Sequence, residues 1–292
     1  MNRFAAVASL AVIGAAWGIT QPFSKIAVSA GYRHFGLIFW QFVIGALILL
    51  VINIIRRKPL PMRPRQLRLY ATIAVIGTLF PNAASYEAAR FLPSGILSIL
   101  ISTVPMFAFP IALAMGNDRF SWSRLSGLAL GLLGVLLIVA PETSLPERAA
   151  IIFVPVALIS SIFYALESNV VARWGDVSAD PIQILLGASL IGVALAVPMA
   201  LITGSWITPS FPLTTPDYAL MASSVFHVLA YTGYVWLIGR TGPTFAAQTG
   251  YMVTGFGIIW AMILLGESYS GWIWGALALI MLGVALVKPR KA

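Results

Sequence analysis

Cysteine is absent from the 292 residues. That excludes a disulfide framework, thiolate catalysis and cysteine-ligated metal sites. Charge is also scarce: 9% of the chain is Asp, Glu, Lys or Arg, against roughly 25% in a soluble domain. The two histidines, His34 and His227, lie far apart in sequence, so no metal site is expected. There is no HExxH pair, no Walker loop and no nucleophile elbow. Zinc hydrolysis, ATP-driven pumping and serine-hydrolase chemistry therefore have no sequence basis. No cofactor and no enzymatic activity are expected.

What fills the chain is apolar: 60% of residues are hydrophobic, and the mean hydropathy is +0.93. In hydrocarbon every backbone polar group must be bonded within its own helix or within a closed barrel. Barrel strands alternate apolar and polar residues. Here the apolar runs are apolar on nearly all sides, which predicts an all-α integral membrane protein. Ten spans of about 20 residues are expected, at roughly 4–30, 35–55, 69–89, 94–115, 123–140, 148–172, 181–203, 217–239, 243–265 and 271–288. The first run continues to about Ala30, too long for the core of a signal peptide. No connection is long enough for a soluble domain, so one membrane domain is expected.

A net charge of +9 would suggest nucleic acid in a soluble protein. Here the basic residues sit at span ends, which is the positive-inside pattern and needs no nucleic-acid partner. With the N-terminus inside, 14 Lys and Arg fall on the cytoplasmic side and three, Arg33, Arg90 and Arg148, on the other. Both termini are thus expected in the cytoplasm. The remaining basic residue, Lys25, lies within the first span and is expected to snorkel to the outer surface.

The segment Trp236–Trp272 falls on Tyr86–Trp122 when shifted by 150 positions. Arg240 then meets Arg90, Pro243 meets Pro93, Gly266 meets Gly116 and Trp272 meets Trp122. The matched residues mark span ends, which predicts two five-helix repeats, residues 1–144 and 145–292. Five is odd, so the copies enter the membrane from opposite sides and are inverted.

Polar residues three or four apart share a helix face, and six spans carry such a stripe. Span 1 has Trp17, Gln21 and Ser24; span 3 has Asn82 and Tyr86; span 4 has Ser94, Ser98 and Ser102. Span 6 has Ser160, Tyr164 and Glu167; span 8 has Ser224, His227, Tyr231 and Tyr234; span 9 has Thr244, Gln248 and Tyr251. These are the same three positions in each repeat. A single Ser or Thr is explained by helix-to-helix bonding, worth about 0.6 kcal/mol. The matched set predicts a shared cavity with aromatic walls. Candidate substrate contacts are Trp17, Gln21, Asn82, Tyr86, Ser98, Tyr164, Glu167, His227, Tyr231, Gln248 and Tyr251. Glu167 is a carboxylate within a span, a rare and costly placement. It either serves the site or snorkels toward Arg173. Glu87 is expected to pair with Arg90, and Glu267 to sit at the start of the last span, where the helix dipole favours a carboxylate. The Gly-rich spans 5 and 10 are expected to act as scaffold or as a homodimer contact.

Trp17-Gly18 with Lys25, Pro105 within span 4, Gly134-Val135, Gly283-Val284 and Gly266-Glu267 occur in this order. In that arrangement the chain resembles the drug/metabolite transporter superfamily, in its EamA-type members, over nearly its whole length. Gly116-Asn117-Asp118 departs from the Gly-Glu expected in the first copy. The resemblance implies an inner-membrane carrier of small organic solutes, often an exporter of amino acids or related metabolites. It also implies a central cavity shared by spans 1, 3, 4, 6, 8 and 9. The expected function is secondary active transport by alternating access, with a small-molecule substrate and the lipid bilayer as partners. The alternatives are a membrane-embedded enzyme acting on lipid head groups, and a non-transporting subunit or sensor.

Overall fold

The computed structural model describes residues 3–117, 119–140, 145, 147–173, 180–241 and 249–286, and among these there is no β-strand. Ten helical segments follow one another. The first is α1 (Arg3–Gly18) with α2 (Thr20–Ser29), and the second is α3 (His34–Ile55). The third is α4 (Pro64–Thr72), a π-helical stretch (Ile73–Leu79) and α5 (Phe80–Ala89). The fourth is α6 (Ser94–Ile101) with α7 (Val104–Ala114), and the fifth is α8 (Trp122–Val139). A 3₁₀ turn (Arg148–Ile152) leads into α9 (Phe153–Arg173), followed by α10 (Pro181–Ile202) and α11 (Thr215–Thr241). The last two are α12 (Thr249–Leu265) and α13 (Gly271–Leu286). Among the described residues seven segments are long and apolar enough to cross a membrane, and α12 and α13 are shorter apolar helices.

The third segment starts at Pro64 rather than near residue 69. Proline at the first helical position has no N–H to leave unbonded, and Arg63 precedes it in extended backbone. The intervening polar residues hide this start from a hydropathy reading.

Four segments lose regularity one turn before a proline. Proline lacks the N–H that would bond the carbonyl four residues earlier. Pro22 thus frees Gly18, where α1 ends; Pro81 frees Gly77, inside the π stretch; Pro105 frees Ile101, where α6 ends; and Pro155 frees Ile151, in the 3₁₀ turn. Pro110 and Pro198 lie inside α7 and α10 without interrupting them. A second local cause is present at two of the breaks. Thr20 Oγ1 donates to the Trp17 carbonyl at 2.7 Å, and Ser102 and Thr103 donate to Ile99 and Leu100, each at 2.6 Å. These hydroxyls offer the backbone partners other than the helix ladder.

The helices of the two halves interleave. α1 packs on α11 and α12, α2 on α11, α3 on α10 and α11, α4 on α10, and α6 on α12. α5 and α7 likewise pack across the halves, both on α9. The largest contact joins α8 to α13. There a Cβ on Gly134 would stand 2.9 Å from the Ala276 carbonyl, and one on Gly283 would stand 2.5 Å from the Gly127 carbonyl and 3.0 Å from the Gly131 amide. The glycine faces of spans 5 and 10 are therefore taken up against each other within the chain.

Side chains clasp the helix ends. At the turn joining α5 to α6, Lys25 Nζ donates to the carbonyls of Ala89 (2.7 Å), Arg90 (3.3 Å) and Leu92 (3.1 Å). Glu267 accepts from the amides of Ser94 (2.7 Å) and Gly95 (3.1 Å) and from the Tyr269 hydroxyl (2.5 Å). Orphan carbonyls thus meet an ammonium and orphan amides a carboxylate. Glu267 caps α6 rather than the helix that follows it, and Lys25 caps α5 rather than reaching free solvent. Glu87 pairs with Arg90 at 2.9 Å and approaches His34 at 3.6 Å.

At the start of α10, Asp180 caps the Ile182 amide and pairs with Arg56 and with Lys58 (2.9 Å). The Arg56 guanidinium holds the Asp180 carboxyl well below the usual carboxylate range. Elsewhere, Tyr32 donates to Asp217 at 2.6 Å; burial and this bond push its phenol up to about 12, so it stays a donor near neutrality.

Two outcomes are expected in thermal unfolding of the purified protein. Gly283→Val wedges α8 from α13 and destabilises by roughly 1–3 kcal/mol. Asp180→Asn costs about 1 kcal/mol, since the pair is partly screened by solvent. Because the folded carboxyl is depressed, that contribution is complete from pH 6 to 8 and is lost only as the pH falls through the acid range. A Tm difference between Asp180→Asn and the parent that changes between pH 6 and 8 contradicts this.

Candidate functional site

A cleft of about 430 Å³, part of it open to the surroundings, lies between α3, the π stretch, α10 and α11. Its apolar lining includes Phe42, Leu49, Ile73 and Val228, and its polar lining is Gln41, Thr78, Ser189, His227 and Tyr231. No Lys or Arg is among the described residues that line it. Gly45 gives α3 a bare patch here: a Cβ would stand 3.2 Å from Val228 and 3.5 Å from the Ser189 hydroxyl.

Four side chains from three segments form one bonded chain beside this cleft. Gln41 Oε1 accepts from Tyr86 Oη (2.8 Å) and from Asn82 Nδ2 (2.9 Å), and Asn82 Oδ1 accepts from Tyr164 Oη (2.7 Å). The helices hold it in place: Ser160 on α9 donates to the Pro81 carbonyl at 2.7 Å, and Ser161 to the Leu100 carbonyl at 2.9 Å. Both serines are fully buried. A polar group sequestered from water must be bonded in this way.

On α11 the cleft meets an aromatic cluster. The Trp17 ring meets His227 edge-on at 5.8 Å, Tyr231 at 5.7 Å and Tyr234 at 5.8 Å between centroids. Tyr231 and Tyr234 stand 6.3 Å apart. Such tilted contacts suit the charge distribution of aromatic rings.

The other expected contacts are distributed as follows. Gln21 is half-buried on α2, one turn before Lys25. Tyr251 is half-buried on α12 and packs against the main apolar core. Glu167 is half-buried on α9, with its carboxylate against Gly77. Ser98 is buried and bonds the Ser94 carbonyl at 3.3 Å, and its hydroxyl occupies the space a Cβ on Gly257 would need. That places it in the α6–α12 contact. Gln248 and Thr244 lie outside the described residues.

The structure thus brings Asn82, Tyr86 and Tyr164 together, and Trp17, His227 and Tyr231 together. Sequence reasoning missed Gln41, Thr78 and Ser189. Gln41 has no polar neighbour on its own face of α3, so a search for stripes passes over it. An amide inside a 22-residue apolar helix, more than three turns from the other amide of that helix, Asn53, was nonetheless a usable signal. Of the six spans expected to share the cavity, spans 3 and 8 line this cleft, together with spans 2 and 7, which were not expected. Among the described residues no group of three His, Asp or Glu side chains could hold a metal.

Successive apolar helices with a polar-lined cleft buried among them define a multi-pass helical membrane protein. The chain belongs to the EamA-like transporter family, whose pattern matches residues 5–140 and again residues 151–288. The chain is 23% identical over 295 residues to the uncharacterized inner membrane transporter YedA of Escherichia coli K12, covering 99% of this chain and 91% of that protein. It is 20% identical over 298 residues to a probable terminal-alkyne amino-acid exporter of Streptantibioticus cattleyicolor, covering 99% and 95%. A solved crystal structure covers 96% of this chain and 97% of its own, with a TM-score of 0.63 and 17% identity. That likeness concerns the fold.

Asn82→Leu leaves Tyr164 without its acceptor and Gln41 with one donor fewer, and is expected to cost roughly 1–3 kcal/mol. Tyr164→Phe removes one bond and is expected to cost about 0.6 kcal/mol. Thermal unfolding in detergent separates them; equal losses contradict the central place of Asn82.

Proposed function

We propose that this protein is a secondary active transporter that moves small organic metabolites across the inner membrane by alternating access, as an exporter. The observation that carries the reading is the cleft itself, where Gln41 of the Tyr86–Gln41–Asn82–Tyr164 chain and the His227 and Tyr231 rings, packed on Trp17, share one lining. Fixed polar groups orient a solute, and rings give it an apolar wall. With no ATP-binding loop in the sequence, a solute or proton gradient supplies the energy. The solutes are amino-acid-like, amine or aromatic, and Gln21, Glu167, Gln248 and Tyr251 complete the contacts in the course of the cycle. The exporter relative supports the direction.

Residues 1–144 and 145–292 are two inverted repeats in this reading. The packing supports it, because exchanging each segment with the one five places on reproduces the contacts. The contact of segments 1 and 9 becomes that of 6 and 4, that of 1 and 8 becomes 6 and 3, and that of 2 and 8 becomes 7 and 3; each is present. The pairs 5 with 10, 2 with 7 and 4 with 9 map onto themselves. Gly116 and Gly266 are 150 positions apart and share a left-handed backbone, with φ +70° and +66°. The family pattern also matches each half separately. Both termini face the cytoplasm, by the distribution of Lys and Arg.

Flux into proteoliposomes tests the function. Saturable uptake and counterflow of at least one amino acid, amine or aromatic solute are expected. No movement of any such solute in either direction overturns the reading. A single cysteine replacing Tyr231 in this cysteine-free chain is expected to react with a water-soluble maleimide at a rate that changes when solute is added. A rate that never changes argues for a static subunit.

A further inference from the structure

Glu167 stands apart from the other buried or half-buried carboxylates among the described residues. Glu87 has Arg90 and His34; Asp180 has Arg56 and Lys58; Asp217 has Tyr32, Ser210 and Thr214; Glu267 has two amides and a phenol. Among the described residues, no hydrogen bond or ion pair reaches Glu167. The cation nearest in sequence is engaged elsewhere: Arg173 donates to the Met115 carbonyl at 2.8 Å. Glu167 lies six residues before Arg173, the end of α9, about 9 Å along the helix axis. Snorkelling toward that arginine is therefore not what the side chain does.

Its surroundings are built to receive it. The carboxylate fills the space left by the missing side chain of Gly77, in the π stretch. Thr78, the next residue, lines the cleft. Tyr164, one turn before Glu167 on α9, is held by Asn82. The same cleft is lined by Tyr231 and His227, with Trp17 edge-on to both. A carboxylate in such a place calls for a positive partner, and rings offer a cation their negative faces. No Lys or Arg on the described lining awaits an anion.

We infer that Glu167 is the recognition point for the ammonium group of an organic amine whose apolar or aromatic body lies along the cleft. The inference rests on the transport reading and narrows its substrate class to cations that lack a carboxylate of their own.

The test uses the purified full chain with three probes on one skeleton: phenethylamine, 2-phenylethanol and phenylacetate. Thermal shift and proteoliposome flux are both read. Phenethylamine is expected to half-saturate at a concentration at least about tenfold below either of the others. Glu167→Gln is expected to weaken phenethylamine by about tenfold or more while moving 2-phenylethanol by less than about twofold. Glu167→Asp keeps the preference for the amine. Gly77→Ala, whose Cβ displaces the carboxylate without removing its charge, weakens the amine as well and decides the matter where Glu167→Gln fails to fold. A folded Glu167→Gln protein that binds phenethylamine as tightly as the parent overturns the inference. So does equal handling of all three probes, or movement of phenylacetate alone, and in both cases transport itself stands. Movement of no solute of any charge removes the transport reading and this inference with it.

Discussion

Within a bilayer there is no water to bond a stray carbonyl or amide, and the chain is shaped by that constraint more than by any single contact. A backbone group freed in hydrocarbon costs several kcal/mol unless a partner is at hand. Four segments nevertheless lose regularity one turn ahead of a proline. The chain accommodates this by turning the irregular stretches toward protein. Ser160 and Ser161 bond carbonyls of the third and fourth segments at Pro81 and Leu100. At the turn joining α5 to α6, Lys25 covers the carbonyls and Glu267 the amides. These two charges lie far apart in sequence and converge on one turn, each doing for a helix end what water does in a soluble protein.

The same constraint positions the site. Broken or loosened helices place polar backbone and polar side chains at mid-chain rather than at the surface, and they face the interior because lipid cannot satisfy them. Gln41, Asn82, Tyr86 and Tyr164 satisfy one another in sequence, which leaves that side of the cleft rigid. The α11 side is held by ring contacts, weaker and less directional. The cleft thus has one bonded wall and one wall held by ring contacts alone.

Much of this was legible beforehand. Apolar run length located the helices to within a few residues, since about 20 residues are needed to cross and little else produces such runs. It failed at Pro64, where a helix begins in polar sequence. Stripe periodicity found Asn82, Tyr86 and Tyr164, because their neighbours share a face. It could not find Gln41, which has no such neighbour, nor the partner of Glu267, which lies 172 and 173 residues away. Ser98 fitted the stripe equally well and belongs to a helix contact, because a small hydroxyl carries the same pattern whether it meets a ligand or a glycine. Glu167 stood out by residue type alone; that it lacks a partner could only be seen in three dimensions.

The interleaving of the halves bears on how the chain is made. Helices enter the bilayer in order of synthesis, yet α1 finds its packing face on α11 and α12, α3 on α10, and α8 on α13. The early helices therefore wait in the membrane with their small-residue and polar faces uncovered until the later ones arrive. A chain that stops short of α13 leaves the glycines of α8 without the face that covers them in the finished protein.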